Sequence, residues 1–559
     1  MKRRKFIQMS AGATALMSAP FFKGCSTQVE YDLLVKGGLV YDGTGGAGIE
    51  ADVAVKGDRI AAIAPEINTK KAATVIDAGG MAVAPGFIDA HTHTDIQLIV
   101  NPKGESKIRQ GVTTEIGGNC GGSRFPYNDD MFDRSKESLL KQYGLDLNWR
   151  DLAGYIGRLE QQGIGINHAT LLGQGTLRSF VMGPYDRPPS DDELQQMKRV
   201  VREHMKAGVV GLSTGLEYLP GGFAKTEELI ELCKEVSPFG GIHATHMRSE
   251  GDFLIESIEE TMKICREAQV STQISHFKTA RPHNWYKIDD MLSAVENAVK
   301  DGLPVLCDRY PYHAWSTGLS FHFPVWAREG TSEDFVNKLK DKANWNRMKA
   351  HIASEGKAMG SWKNVVISSV INDKNRKFEG QSVLDAATGT GKTEFAFMRD
   401  LLIEEEGHVG MVGFGMSEDN LKRVLAHPLV VVGSDGNAVA PYGELGKGKP
   451  HPRFYGTFPR VLGKFSRDEG IMDLGTAVRK MTSMTADKFG LVDRGYLKTG
   501  GFADITVFDP GVVIDKATFV DPHNYAAGIP YVIVNGRVAV SEGEHTGVLA
   551  GQILRKSLT

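Results

Sequence analysis

A chain of 559 residues with 41% hydrophobic and 24% charged residues is an ordinary globular composition, long enough for one large core plus a satellite domain. Its 65 basic and 68 acidic residues leave a formal net charge of -3, and no Lys/Arg-rich stripe with interleaved aromatics occurs, which argues against nucleic acid as a partner. Five scattered cysteines, Cys25, Cys120, Cys233, Cys265 and Cys307, form no CxxC pair and no disulfide framework.

In chain order, residues 1–25 read as an export peptide. The basic run Lys2-Arg3-Arg4-Lys5 precedes a small-residue apolar stretch, Met9 to Phe22, too short to span a bilayer as a stable helix. Adjacent arginines followed by Phe6-Ile7 resemble a twin-arginine motif, with Lys2 where Ser or Thr is usual. Phe22-Lys23-Gly24-Cys25 resembles a relaxed lipoprotein cleavage box, so a lipidated Cys25 would anchor the protein to a membrane. The expectation is an exported protein, periplasmic or membrane-anchored.

Residues 29–84 are short alternating segments separated by turns such as Lys36-Gly37-Gly38 and Lys56-Gly57-Asp58. The same pattern returns over 490–549, so a small β-sandwich assembled from both chain ends is expected around an inserted middle. That middle, 85–489, alternates apolar strand-like runs with amphipathic helical stretches. Eight runs end near His93, Asn119, Gln174, Ser213, His246, His276, Asp308 and Asp435, which predicts an α/β fold of the TIM-type (β/α)8 barrel class, with its chemistry at the strands' C-terminal ends. The stretch from about 325 to 410 is too long for one βα unit and is expected to hold a helical insertion or lid. Within it, Ala386-Ala387-Thr388-Gly389-Thr390-Gly391-Lys392-Thr393 fits a loose phosphate-loop pattern, but Gln381 to Ala387 reads as a helix where that motif needs a preceding strand.

The predicted strand ends carry His91, His93, Cys120, His246, His276 and Asp435. His91 and His93, two apart, project to one face of a strand. Imidazole, thiolate and carboxylate are together the donor set of a borderline metal such as zinc, and six such residues on five strands meet only if the strands converge. Cys120 lies in Gly117-Gly118-Asn119-Cys120-Gly121-Gly122, where glycines leave the thiol uncrowded. Cys233 and Cys265 fall in helical patterns and read as small buried hydrophobes. By the same two-residue logic Lys278, after His276, is a candidate cation for a substrate carboxylate, and Arg248, after His246, another.

Taken together, Pro85-Gly86-Phe87-Ile88-Asp89-Ala90-His91-Thr92-His93 and Gly433-Ser434-Asp435-Gly436 resemble the metal-dependent amidohydrolases. Gly118-Asn119-Cys120-Gly121, Gly215-Leu216-Glu217-Tyr218, His246-Met247-Arg248-Ser249-Glu250-Gly251-Asp252, Ser275-His276-Phe277-Lys278, Asp308-Arg309-Tyr310-Pro311-Tyr312 and His451-Pro452-Arg453 resemble, more narrowly, the N-acyl-D-amino-acid deacylases (D-aminoacylases). The resemblance covers nearly the whole chain after the export peptide. It implies a tight zinc held by Cys120, His246 and His276, and a second, weaker site of His91, His93 and Asp435 with Cys120 able to bridge. It also implies Asp435 as general acid/base, and Arg453, Tyr218, Tyr310 and Ser316 around a small N-acyl-D-amino acid substrate. Phe277, where relatives have a second polar residue, and Cys307, before Asp308, depart from the family pattern. The competing readings are a cyclic amidase or dipeptidase of the same superfamily, which would want a bridging lysine that Gly211-Leu212-Ser213-Thr214 lacks, and a non-catalytic metal- or ligand-binding lipoprotein.

Overall fold

The structure is a computed structural model that describes residues 29–556; the segment expected to be an export peptide, with Cys25, lies outside the described residues. Alternation of apolar residues sets the first sheet. On the strand Tyr31–Val40, Leu33 and Val35 face one core while Leu34 faces another with Ala54 and Ile67, as the two-residue period of a strand requires. This strand pairs antiparallel with Ile49–Lys56 and parallel with Ala72–Asp77 and Ala82–Pro85. Ala82–Pro85 pairs in turn with Ile505–Phe508, and the sheet continues through Tyr531–Val534, Arg537–Ser541 and Glu544–His545. Strands from both chain ends therefore share one mixed sheet of nine.

The middle of the chain is parallel α/β. Phe87–Asp89, Val112–Gly117 and Asn167–Thr170 lie side by side; Leu172–Gly173, Gly211–Gly215, Ile242–His246, Ser271–Ile274, Val305–Arg309 and Val430–Val432 follow as a second parallel sheet. Only Leu171 separates Thr170 from Leu172. At the far edge Thr92 bridges Gly436 in parallel, and Asp435 N–H donates to His91 O at 2.8 Å. The strands thus end close to the residues named for the predicted runs, most at or just before them, with Gly211–Gly215 and Val305–Arg309 running just past Ser213 and Asp308.

Intervening helices have the expected amphipathic origin. Asp191–Ala207 starts at a Ser190/Glu193 capping box, buries Met197, Val201 and Met205 at four-residue spacing, and stops at Gly208, whose φ of 101° a side chain would resist.

The long stretch after residue 324 is not purely helical, which corrects the sequence expectation. Alongside the helices Ser332–Lys340, Lys342–Ala358 and Glu394–Glu404, the strands Val365–Ser369 and Gly410–Phe414 form an antiparallel sheet with Ala314–Gly318. Val365–Ser369 pairs with a segment far along the chain, so no hairpin signal announces it. The helix Val383–Gly389 takes in the first half of that decoy, and Thr393 caps the next helix by accepting Ala396 N–H, so the strand a phosphate loop needs is missing there. Among the described residues no helix is long and apolar enough to cross a membrane.

Candidate metal centre

The six predicted donors converge. Cys120 Sγ lies 3.3 Å from His91 Nε2, 3.7 Å from His276 Nε2 and 3.8 Å from His246 Nδ1. Asp435 Oδ1 lies 3.1 Å from His93 Nε2 and 3.6 Å from His91 Nε2. Two groups of donors share Cys120: His91, His93, Cys120 and Asp435 on one side, Cys120, His246 and His276 on the other. With Zn–S near 2.3 Å and Zn–N near 2.0 Å, two ligands of a tetrahedral zinc stand about 3.5 Å apart, so the sulfur–nitrogen spacings fit that ion.

Backbone shape makes the convergence possible. Cys120, His276 and Asp435 all have positive φ, 51°, 37° and 49°, which aims each side chain inward from a turn just past its strand. The Cys120 loop also needs contact with bare backbone: a Cβ on Gly215 would sit 2.1 Å from Cys120 O. Ser213 accepts the Gly121 N–H at 3.1 Å and donates to Gly118 O, tying that loop to the neighbouring strand.

Three carboxylates that sequence reasoning did not assign a role orient the imidazoles. Asp308 faces His91 Nδ1 at 3.3 Å, Glu217 faces His246 Nε2 at 3.1 Å, and Glu250 faces His276 Nδ1 at 2.6 Å. When an ion is bound, each carboxylate would take the ring N–H on its side, so that the opposite nitrogen, the one facing Cys120, is left to ligate. Asp308 also accepts His276 N–H and Gln273 Nε2–H, both at 2.7 Å, joining two ligand strands. All three stand in the quoted family runs, but nothing in periodicity marks them.

Electrostatics agree with a ligand cluster. Burial alone would raise the Cys120 thiol, yet the charge on His91 and hydrogen bonds from His246, His276 and His91 hold it well below its ordinary value, so it is a thiolate. Burial would likewise raise Asp435, but the Arg453 guanidinium, then His93 and His91, keep it well below the carboxylate range. Burial lowers His93 while its bonds to Asp435 and Cys120 raise it, to about 9 on balance; His246 reaches about 10 against the same burial cost, through Glu250, Cys120 and Glu217.

Asp435 sits where two cavities meet. One, about 700 Å³, is walled by His93, Cys120, Arg453 and polar residues; the other, about 210 Å³, by His246, His276, Tyr310 and Trp315. Tyr218, Ser316 and Asp435 line both. Arg453 is 3% exposed and its Nη1 lies 3.0 Å from Asp435 Oδ2, without an aligned hydrogen bond on either Nη1 or Nε. His451 positions it, accepting Arg453 N–H on Nδ1 at 3.0 Å and donating from Nε2 to Ala314 O at 2.9 Å. The buried Tyr310 hydroxyl has no protein partner. Burial and the nearby thiolate raise Tyr218 well above its ordinary value, so its phenol stays a donor.

Two cations go elsewhere. Lys278 Nζ is taken by Glu250 and by His276 O at 3.1 Å, so it supports the ligand shell instead of offering a free charge. Arg248 turns away altogether: Glu260 binds its Nε and Nη2 at 2.9 Å, and the carbonyls of Gly222 and Ala224 take further N–H groups. The two-residue rule fails for both because Ile242–His246 and Ser271–Ile274 have already ended. Phe277 packs with Met247 and Leu254, away from both cavities.

A parallel α/β frame that gathers imidazoles, a thiolate and a carboxylate at its strand ends, beside a polar cavity, defines a metal-dependent hydrolase. The chain belongs to the N-acyl-D-amino-acid deacylase (D-aminoacylase) family of amidohydrolases. The amidohydrolase family model matches residues 74–230 and 370–540. The chain is 37% identical to a D-aminoacylase from Alcaligenes xylosoxydans xylosoxydans, over 94% of this chain and 98% of that one. It is 34% identical to an N-acyl-D-glutamate deacylase of the same organism, over 95% and 97%. Among solved structures, an N-acyl-D-glutamate deacylase from Bordetella bronchiseptica, complexed with zinc and a phosphonate mimic of the tetrahedral intermediate, superposes with a TM-score of 0.79 at 32% identity, over 94% of this chain and all of that one. A D-aminoacylase described for its binuclear metal centre gives 0.78 at 35% identity, over the same shares.

Proposed function

We propose that this protein is a zinc-dependent deacylase that cleaves N-acyl-D-amino acids to a carboxylate and a free D-amino acid. The observation that carries this reading is the convergence of His246 and His276 on Cys120, each imidazole backed by its own carboxylate, beside an Asp435 in contact with Arg453. In this reading Cys120, His246 and His276 hold the tight zinc; His91, His93 and Asp435, sharing Cys120, form the weaker site. The asymmetry of support agrees: Glu217 and Glu250 fix the first pair of imidazoles, whereas His93 has only the other donors Asp435 and Cys120 as partners, and its side chain is 35% exposed. Bound there, zinc polarises the scissile carbonyl and activates the attacking water.

Asp435 handles the proton. Ionised at neutral pH, it accepts the proton of the attacking water and delivers it to the departing nitrogen, because a neutral amine leaves and an amide anion does not. Arg453 receives the substrate's α-carboxylate, with the hydroxyls of Tyr310, Tyr218 and Ser316 as further partners. The strand Gly211–Gly215 carries no lysine, so the cyclic-amidase reading gains nothing.

For the frame, we read the nine parallel segments, with Asn167–Thr170 and Leu172–Gly173 joined through Leu171 as one strand, as the eight strands of a (β/α)8 barrel, supported by that continuity and by the Thr92–Gly436 bridge. The nine-stranded sheet reads as a small β-sandwich of residues 29–84 and 490–549, supported by the core that Val35, Val53, Val83, Ile505 and Ile533 share. Export and lipidation of Cys25 rest on the order of residues 1–25 alone.

The decisive experiment assays zinc-loaded wild type and Asp435→Asn on a panel of N-acetyl-D- and N-acetyl-L-amino acids. We expect hydrolysis of D-substrates, and a variant that keeps its zinc while kcat falls roughly 10²- to 10⁴-fold. A stable, zinc-loaded variant with near-normal kcat would remove Asp435 from the chemistry.

A further inference from the structure

The larger cavity contains a cation to which the deacylase reading gives no task. Arg124 follows Cys120 by four positions and lines the same wall as His93, Cys120, Asp435 and Arg453. The other cations of that wall each have a carboxylate at ion-pair distance: Arg453 has Asp435 at 3.0 Å, Lys141 has Glu406 at 2.8 Å, Arg376 has Asp373 at 2.7 Å, and Lys447 has Glu444. Arg124 meets no carboxylate at ion-pair distance among the described residues. Asp95 acts on it only from further away, its Oδ1 already accepting Gly118 N–H at 2.9 Å, and the phenols of Tyr127 and Tyr143 flank it. Glu379, also in the wall, accepts Val370 N–H at 3.1 Å.

Its backbone is held on all sides. Thr176 Oγ1 accepts Ser123 N–H at 2.9 Å, Trp149 Nε1–H donates to Arg124 O at 3.0 Å, and Phe125 is fully buried. The side chain therefore projects from a fixed loop, so the backbone has little ordering entropy left to lose when the guanidinium takes a ligand. A half-buried guanidinium beside a phenol, with no carboxylate at ion-pair distance, is a good carboxylate receptor, since its planar fork matches the two oxygens.

We propose that Arg124 is a second anion anchor, selecting N-acyl-D-amino acids that carry another carboxylate besides the α-carboxylate held at Arg453. This rests on the deacylase reading. The additional carboxylate belongs either to the amino-acid side chain or to a dicarboxylic acyl group, and the same contact serves both.

The test compares zinc-loaded wild type, Arg124→Gln and Arg124→Lys on N-acetyl-D-glutamate, N-acetyl-D-aspartate, N-succinyl-D-leucine and N-acetyl-D-leucine, with melting temperatures taken on the same preparations. Wild type should favour a dianionic substrate, and whether that is the glutamate or aspartate or instead the succinyl compound will show which source supplies the charge. Arg124→Gln should lose roughly 10- to 1,000-fold in kcat/KM on that substrate, mostly as KM, and change little on N-acetyl-D-leucine. Arg124→Lys should recover part of the loss, and rising salt should weaken the preference in wild type and in Arg124→Lys. Equal use of mono- and dianionic substrates by wild type, or an equal loss on both by Arg124→Gln, overturns the assignment while leaving the deacylase reading intact. Failure to hydrolyse any N-acyl-D-amino acid overturns both.

Discussion

At the scale of single residues, the centre is governed by which nitrogen of each imidazole is free. A carboxylate at 3.1 Å on His246 Nε2 commits that nitrogen to an N–H and leaves Nδ1 as the donor. Glu217→Gln keeps the size but removes the charge, so zinc affinity should fall about 10- to 100-fold in a chelator competition. Unchanged affinity would mean that Cys120 and His276 suffice to position the ion. Arg453 has two effects that one variant can separate. It is the largest of the groups that hold Asp435 down against burial, so Arg453→Met should let the carboxylate rise toward its ordinary value. The acid limb of kcat/KM should then move to higher pH while KM increases, because base and carboxylate anchor are affected together. A higher KM with an unmoved acid limb would show that the pair at 3.0 Å is silent electrostatically.

At the scale of elements, strands deliver the donors but turns aim them. The seam between Phe87–Asp89 and Val430–Val432 shows how this is held. Lys107, fully buried in the short helix Glu105–Ile108, binds Asp89 Oδ2 at 2.8 Å, Ser434 Oγ at 2.6 Å and Gly436 O at 3.0 Å. Asp89 Oδ1 in turn accepts Ser434 N–H at 2.8 Å and His91 N–H at 3.3 Å. One ammonium thus ties the turn bearing Asp435 to the turn bearing His91. Lys107→Met leaves the Asp89 carboxylate buried and unpaired, which costs about 3–5 kcal/mol. Denaturant unfolding should show that loss; a drop below 1 kcal/mol would mean water replaces the ammonium.

At the scale of the whole molecule, the donors come from segments between His91 and Asp435, so a bound ion cross-links most of the chain. Zinc that binds the folded chain and not the unfolded one stabilises by mass action, about 4 kcal/mol at a thousandfold excess over Kd. Chelation should therefore lower the melting temperature, and added zinc should restore it in wild type but much less in Cys120→Ala. Equal melting of loaded and chelated protein would place the ion outside the folding unit.

The sequence alone determined roughly where the parallel strands end, the sheet shared by strands from both chain ends and the six side chains that converge at the centre. These depend on local period, on glycine punctuation and on residue chemistry, which neighbours in the chain express directly. Tertiary structure decided the rest. The sheet within 325–410 pairs strands distant in sequence, and Asp308 reaches His91 across 217 positions. Lys278 and Arg248 read as free cations when only their own strands were considered. In the fold, Glu250 and Glu260 take them, because a long charged side chain goes to the nearest unsatisfied carboxylate and only packing determines which one that is.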